Sequence, residues 1–356
     1  MENQEKQHKR RVRYKGTHPR NYQEKYKELN PERYKDTVEK VIRKGSTPAG
    51  MHISICVNEI LDFLQIQPGQ IGLDATLGYG GHSSAMLQCL KGEGHLYALD
   101  VDPIEMKKTK ERLEKQGYDS KILSIRHLNF ADVDQLLPKS GAFDFAMADL
   151  GVSSMQIDNP ERGFTYKSDG PLDLRLNPET GISAADRLQQ MSCDELVGMM
   201  QENADEPYAE EIARQIVRTE RHTAIRTTRA LYEVIEKALQ RVRLQRDEKG
   251  NLPERRDIIR KSSARVFQAL RIDVNHEYEV LYEFMEKLPD ALAPGGRAAI
   301  LTFHSGEDRI VKKAFKAFHQ QGIYREIARD VIRPSREECY ENSRAHSTKL
   351  RWAIKA

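Results

Sequence analysis

The sequence predicts an α/β protein, a doubly wound parallel sheet interrupted by a helical insertion. Three observations carry this. Between residues 71 and 149, short apolar runs alternate with helical patterns. A glycine turn follows the first run, in 71-IGLDATLGYGGHSSAML-87, and an acid, Asp100, ends the second. The strand signal stops after Asp149 and resumes near residue 297. A β-α-β-α-β order lays strands parallel and packs the intervening helices on the faces of the sheet.

Each element has a local reason. In 53-ISICVNEILDFLQI-66, Ile55, Ile60, Leu61 and Leu64 recur near helical spacing, and Pro68-Gly69 ends the run. Strands are expected at Ile71–Thr76, His95–Asp100, Ile122–His127 and Phe143–Asp149, with helices at about 83–91 and 103–116. Residues 157–180 are rich in Asp, Pro, Gly and Arg and show no strand signal. Residues 183–245 are helical in composition, and 246–257 read as a charged, turn-rich loop. A helix at 264–288, whole or broken near Asp273–Asn275, and another at 306–320 restore the α/β pattern. Strands at Arg297–Phe303, Tyr324–Arg329 and Leu350–Ile354 bring the total to seven. The expected organisation is a basic N-terminal extension, 1–47, and a sheet domain made of 48–157 and 263–356. A helical insertion, 158–262, interrupts that domain.

With 38% hydrophobic and 31% charged residues, the chain can bury a sizeable core under a polar surface. The net charge of +3 says little, but its distribution says more. Residues 1–47 hold 14 Lys/Arg against 7 Asp/Glu, with tyrosines between the charges. This segment is either a solvated tail or an arm that meets RNA, where cations neutralise phosphates and tyrosines stack on bases. Cys56, Cys89, Cys193 and Cys339 are scattered without a CxxC pair, which suits a reduced, intracellular protein without structural zinc. No run approaches the ~18 apolar residues of a membrane helix. The polar start lacks the apolar core of a signal peptide, so a cytoplasmic location is expected.

The turn Gly78-x-Gly80-Gly81 departs from GxGxxG and has no Walker Lys-Ser/Thr, which argues against a phosphate cradle. Asp100 lies 22 residues after Gly78, at a strand end where an acid can accept hydrogen bonds from both ribose hydroxyls. NAD and S-adenosylmethionine both fit these two features. Two more favour the sulfonium cofactor. The fourth strand ends in 147-MADLGVSS-154, an acid and a polar loop where a class I methyltransferase holds its acceptor. A Pro-Gly-Gly turn in 293-APGGRAAILTFHS-305 precedes the fifth strand. Seven strands, the last antiparallel, are also the count of the Rossmann-like class I methyltransferase sheet.

The segments DATLGYGGHS, DLGVSSMQID, ERGFTYKSDGPLDLRLN, RVFQALRIDVN, LAPGGRAAILTFHSGEDRIVK and SRAHSTKLR occur in that order. Over about residues 52–354 they resemble the RsmH (MraW) family, which methylates N4 of a cytidine in 16S rRNA of the small ribosomal subunit. The resemblance implies an S-adenosylmethionine-dependent rRNA (cytosine-N4-)-methyltransferase. It places cofactor contacts at Gly80, Gly81, His82, Asp100, Phe130, Asp149 and Gln156. It needs neither a metal nor a covalent cysteine. Gly306 departs from the pattern, which expects Leu there. A paralogue with another RNA target and a non-catalytic assembly factor on the same fold stay open as alternatives. So do a monomer and a homodimer.

For the chemistry, Asp149 is the first candidate to accept a hydrogen bond from the amine, with Ser153 and Ser154 behind it. For the RNA, 162-RGFTYKSDGPLDLRLN-177 carries Arg162, Asp173 and Arg175. It reads as a lid or substrate wall, or as a self-satisfied salt-bridge cluster. Helical spacing gathers Arg265, Gln268, Arg271 and Asn275 near one face. That face either holds a flipped cytidine and its phosphates or is simply solvated.

Overall fold

The computed structural model describes residues 54–243 and 252–356. The basic segment 1–47 and the first part of the 246–257 loop lie outside the described residues. Seven strands form one sheet: β1 (Ile71–Asp74), β2 (His95–Asp100), β3 (Leu123–His127), β4 (Phe143–Asp149), β5 (Leu292–Thr302), β6 (Tyr324–Ile327) and β7 (Lys349–Lys355). Their order is β3-β2-β1-β4-β5-β7-β6. β1 to β5 pair in parallel, and β7 runs antiparallel between β5 and β6. The chain winds outward from β1 to β3 and then returns to β4 on the other side of β1. The crevice at that switch, beyond the carboxyl ends of β1 and β4, is where such sheets bind ligands.

The central strands are buried on both faces, so they read as near-continuous apolar runs. In β4, Phe143, Ala146 and Ala148 pack against α10 (Glu277–Ala291) and α11 (Ser305–Gln320) through Leu281, Phe284, Leu288 and Phe315. Phe145 and Met147 face the other side. There they meet Ile60 and Leu64 of α1 (Val57–Leu64), Met86 and Leu90 of α2 (Gly81–Leu90), and Leu113 of α3 (Pro103–Lys115). The Phe145 ring covers Gly72, where a Cβ would lie 2.0 Å from its Cζ.

A third apolar cluster belongs to the helices after β4: α4 (Ser154–Asp158), α5 (Ala184–Gln190), α6 (Cys193–Ala204), α7 (Ala209–Glu220), α8 (Thr228–Leu239) and α9 (Arg255–Asn275). Leu196, Met200, Ile212, Ile216, Leu231, Ile235, Val266 and Leu270 are among its buried members.

Two details differ from the sequence reading, and the break expected near Asp273–Asn275 falls at the next residue. α9 starts at Arg255 rather than near 264, because Ile259, Ser262 and Ser263 give its charged first turns a buried face. His276, in the left-handed region at φ 51°, separates α9 from α10. The Pro-Gly-Gly turn lies inside β5, as a bulge between Phe143↔Leu292 and Phe145↔Arg297. Proline has no amide to donate and Gly295 takes φ +78°, so the ladder skips these residues and resumes.

Candidate active site at the carboxyl edge of the sheet

Acids end β1, β2 and β4, and the register brings all three to one edge. Asp74 is fully buried. Its carboxylate accepts from the Thr76 amide (3.1 Å) and the Ser83 hydroxyl (2.6 Å), tying the strand to the start of α2. The glycine turn between them needs positive φ at Gly78 (+45°) and Gly80 (+78°). A Cβ at Gly80 would also lie 2.7 Å from Thr109. The turn is pinned to α3. The Thr109 hydroxyl donates to the Gly78 carbonyl (2.7 Å), and the Arg112 guanidinium sits 3.6 Å above the Tyr79 ring.

Asp100 accepts from the Gly78 amide (2.7 Å) on one oxygen and the Asp102 amide (2.8 Å) on the other. Burial pushes its carboxyl up to about 6. A carboxylate offers about four lone-pair sites, so each oxygen can still accept a ribose hydroxyl.

Asp102 is a hub that the sequence reading missed. It is fully buried and caps α3, accepting from the Ile104 and Glu105 amides. Its other oxygen accepts from Gln156 Nε2 (2.7 Å) and from Arg162 (2.7 Å). Asp before Pro103 is a legible N-cap signal. Its partners lie 54 and 60 residues away and carry no such signal. Gln156 also closes a capping box with Ser153 at the start of α4. Ser154 is the first residue of that helix.

Asp149 ends β4 and differs from its neighbours. Its amide donates to the Thr76 hydroxyl oxygen (2.6 Å), which fixes its place beside the glycine turn. Its Oδ1 is shielded from solvent and has no hydrogen-bond partner among the described residues. Its Oδ2 lies 3.6 Å from Nδ1 of His82. The other ring nitrogen of His82 lies 3.0 Å from the Ile55 carbonyl, which can only accept, so that nitrogen carries the proton. Burial holds the His82 imidazole below its usual range, so it is neutral and turns a lone pair toward Asp149. Burial first, and the charge of Glu307 second, push the Asp149 carboxyl up to about 7.

Glu307, on the first turn of α11, is buried and accepts from the Phe303 amide (2.8 Å). Burial raises its carboxyl, but His304, Arg271 and the Phe303 amide more than offset this and leave it below the usual range. His304 Nε2 lies 3.1 Å from Glu307, and Arg271 grips Glu277 with two bonds of 2.8 Å. Glu277, His304 and Glu307 bring donor atoms within 4.8 Å of one another, but Arg271 already occupies the Glu277 carboxylate. Gly151 rests on this group: a Cβ there would be 3.7 Å from Glu307 and 3.9 Å from Arg271.

The remaining expected site residues lie around this edge. Gly81 and His82 open α2. Phe130 follows β3 with its ring edge-on to Phe284, centroids 5.0 Å apart. Arg162 is buried and bonds the carbonyls of Arg175 and Leu176 as well as Asp102. Arg175 makes a two-point pair with Asp173. Asn275 accepts from the Leu176 amide and donates to the Leu174 carbonyl. Gln268 reaches the Asn203 carbonyl (3.4 Å), and Arg265 lies 3.8 Å from Glu206. Asn275 thus clamps the 162–177 segment onto α9.

The strand order, the antiparallel β7 and a glycine turn flanked by Asp100 and Asp149 define a class I methyltransferase. The unpartnered oxygen of Asp149 and the open lone pairs of Asp100 suit S-adenosylmethionine, the cofactor of this class. The MraW methylase family model matches residues 49–356, and the chain belongs to that family. It is 64% identical over 358 residues to "Ribosomal RNA small subunit methyltransferase H 1" of Lachnoclostridium phytofermentans, covering 100% of this chain and 95% of the relative. It is 62% identical to the protein of the same name from Agathobacter rectalis, covering 99% of each. It is 37% identical to "Ribosomal RNA small subunit methyltransferase H" of Koribacter versatilis, over 85% of this chain and 94% of the relative. The matches to the two relatives named H 1 therefore take in nearly all of the basic N-terminal segment.

Proposed function

We propose that this protein transfers a methyl group to N4 of a cytidine in 16S rRNA of the small ribosomal subunit. The names of relatives matched over nearly their whole length support the substrate. The unpartnered Oδ1 of Asp149 beside the glycine turn carries the chemistry. Gly80, Gly81 and His82 hold the methionine end of the cofactor at the amides opening α2. Asp100 takes the ribose hydroxyls, and Phe130 packs near the adenine. Gln156 acts through Asp102, which it shares with Arg162.

S-adenosylmethionine, when bound, supplies an electrophilic methyl group. The exocyclic amine of cytosine is conjugated with its ring and is a poor nucleophile. Asp149 Oδ1 accepts one N–H of that amine, turning the nitrogen lone pair toward the methyl carbon, and such placement is the main lever on rate. The bound cofactor would supply the methyl group to the amine, and Asp149 would take the proton that the amine gives up. A carboxyl near 7 suits that transfer at neutral pH. Ser153 and Ser154 shape the loop below the base.

The helical insertion, 158–262, recognises the RNA. Arg162, Asp173, Arg175, Arg265, Gln268, Arg271 and Asn275 form and brace the wall that receives the flipped nucleotide. The enzyme works in the cytoplasm on the small subunit. Nucleoside mass spectrometry on 16S rRNA from wild-type and deletion strains tests this. N4-methylcytidine should vanish on deletion and return when purified protein and S-adenosylmethionine are added. Unchanged methylation would reject the reading.

A further inference from the structure

We propose that the outward face of α11 is a docking rail for the phosphate backbone of the rRNA that carries the target cytidine. This rests on the rRNA reading above. In 309-RIVKKAFK-316, Arg309, Lys312, Lys313 and Lys316 fall at i, i+3, i+4 and i+7, one stripe of a helix, and all four are exposed.

The helix sorts its charges by sign. Its acids, Glu307 and Asp308, both turn inward. Glu307 faces the candidate active site, and Asp308 pairs with Lys349 (2.8 Å) and Arg351 (2.7 Å) of β7. No exposed residue of α11 is acidic. None of the four cations has an ion pair among the described residues, whereas some cations on other helices pair with an acid of their own helix. α3 pairs Lys108 with Glu105 (3.0 Å), and α7 pairs Arg214 with Glu210. The neighbouring α10 exposes acids instead, Glu279, Glu283, Glu286 and Asp290. An unpaired basic stripe beside an acidic helix would set where a polyanion lands.

Its position joins the stripe to the chemistry. α11 begins three residues after β5, whose Leu301 pairs with Asp149. Arg309 lies two residues after Glu307, which faces the candidate site. The stripe therefore starts at the acceptor side of the site and runs away from it for about 10 Å. That length spans about three successive phosphates of a stacked strand. Nucleotides flanking the flipped cytidine would lie along it.

The test is the triple variant Lys312→Ala/Lys313→Ala/Lys316→Ala, with a charge-retaining triple Lys→Arg control. Calorimetry should give unchanged S-adenosylmethionine affinity, since none of the three belongs to the cofactor site. With a 16S rRNA transcript, the alanine variant should bind at least tenfold more weakly at low salt. Its plot of log affinity against log salt should be shallower by about 2 to 3, and the arginine control should behave as wild type. Unchanged RNA affinity and salt slope would overturn the proposal. So would a defect confined to binding phosphatidylglycerol vesicles, which would make the stripe a membrane surface. A wild-type protein that binds cofactor but neither binds nor methylates the transcript would reject the rRNA reading itself, and the rail with it.

Discussion

The two sides of the carboxyl edge treat their carboxylates in opposite ways. On the β1–β2 side, Asp74, Asp100 and Asp102 each accept at least two hydrogen bonds from within the chain. On the β4–β5 side, Asp149 keeps a shielded oxygen with no partner among the described residues. A buried acceptor without a donor costs about 1–3 kcal/mol. The first side is shape that must exist before any ligand arrives. The second holds an acceptor in reserve for a donor that comes with the substrate.

The sharpest way to break this comparison is to cross the two sides. Asp149→Ala should lower the rate of methyl transfer about 10²- to 10³-fold, measured as single turnover on 16S rRNA. Urea denaturation should show stability unchanged or raised, because the lost carboxylate made no side-chain hydrogen bond at Oδ1. Asp102→Ala should instead lower stability. It strands the buried Arg162 guanidinium, which typically costs about 3–5 kcal/mol. If Asp149→Ala unfolds the protein, or Asp102→Ala is stable but inactive, the division of labour is wrong.

The same contrast marks what could be read in advance. The sheet was legible because parallel strands buried on both faces show as apolar runs, and their terminal acids fall at one edge. Asp100 and Asp149 could be singled out from that alone. The pairing of Arg162 with Asp102 could not, since it joins residues 60 apart and obeys no local period. The face of Arg265, Gln268, Arg271 and Asn275 was legible as a face, but not its bonds. Arg271 goes to Glu277 across the helix break at His276, and no local period marks which acid it meets. The early start of α9 was hidden for another reason. Its buried residues there include two serines, which hydropathy reads as surface.

A smaller effect tests how the acceptor side is packed. Where the family resemblance expects Leu, Gly306 leaves room for Tyr278. A Cβ there would be 1.9 Å from the Tyr278 hydroxyl oxygen. That hydroxyl donates to the Asn203 carbonyl of α6 (3.2 Å), so the tyrosine ties the sheet to the helical layer. Gly306→Leu alone should cost about 1–3 kcal/mol by overpacking. Tyr278→Ala in the same chain should restore part of it, giving a favourable coupling in a double-mutant cycle. Full additivity would show that the leucine finds other space. Restored stability with an unchanged rate would show that packing on this side is separable from its chemistry.

The smallest expected effect is a displacement along the pH axis. Asp149 must be ionised to accept the amine, so the single-turnover rate should rise with pH through about 7 and then level off. The titratable groups that bear on this carboxyl are His82, Glu307, Asp74 and Cys56. Only Glu307 both raises Asp149 and stays ionised itself. Glu307→Gln keeps the acceptor for the Phe303 amide and removes the charge, so the acid limb should move to lower pH. Lower pKa means more ionised Asp149 at pH 6, and the variant should outpace wild type there while matching it above pH 8. A limb that stays in place, in a variant that still binds S-adenosylmethionine, would mean that burial alone sets the proton affinity of Asp149. The charges of the β4–β5 side would then be as self-contained as those across the crevice.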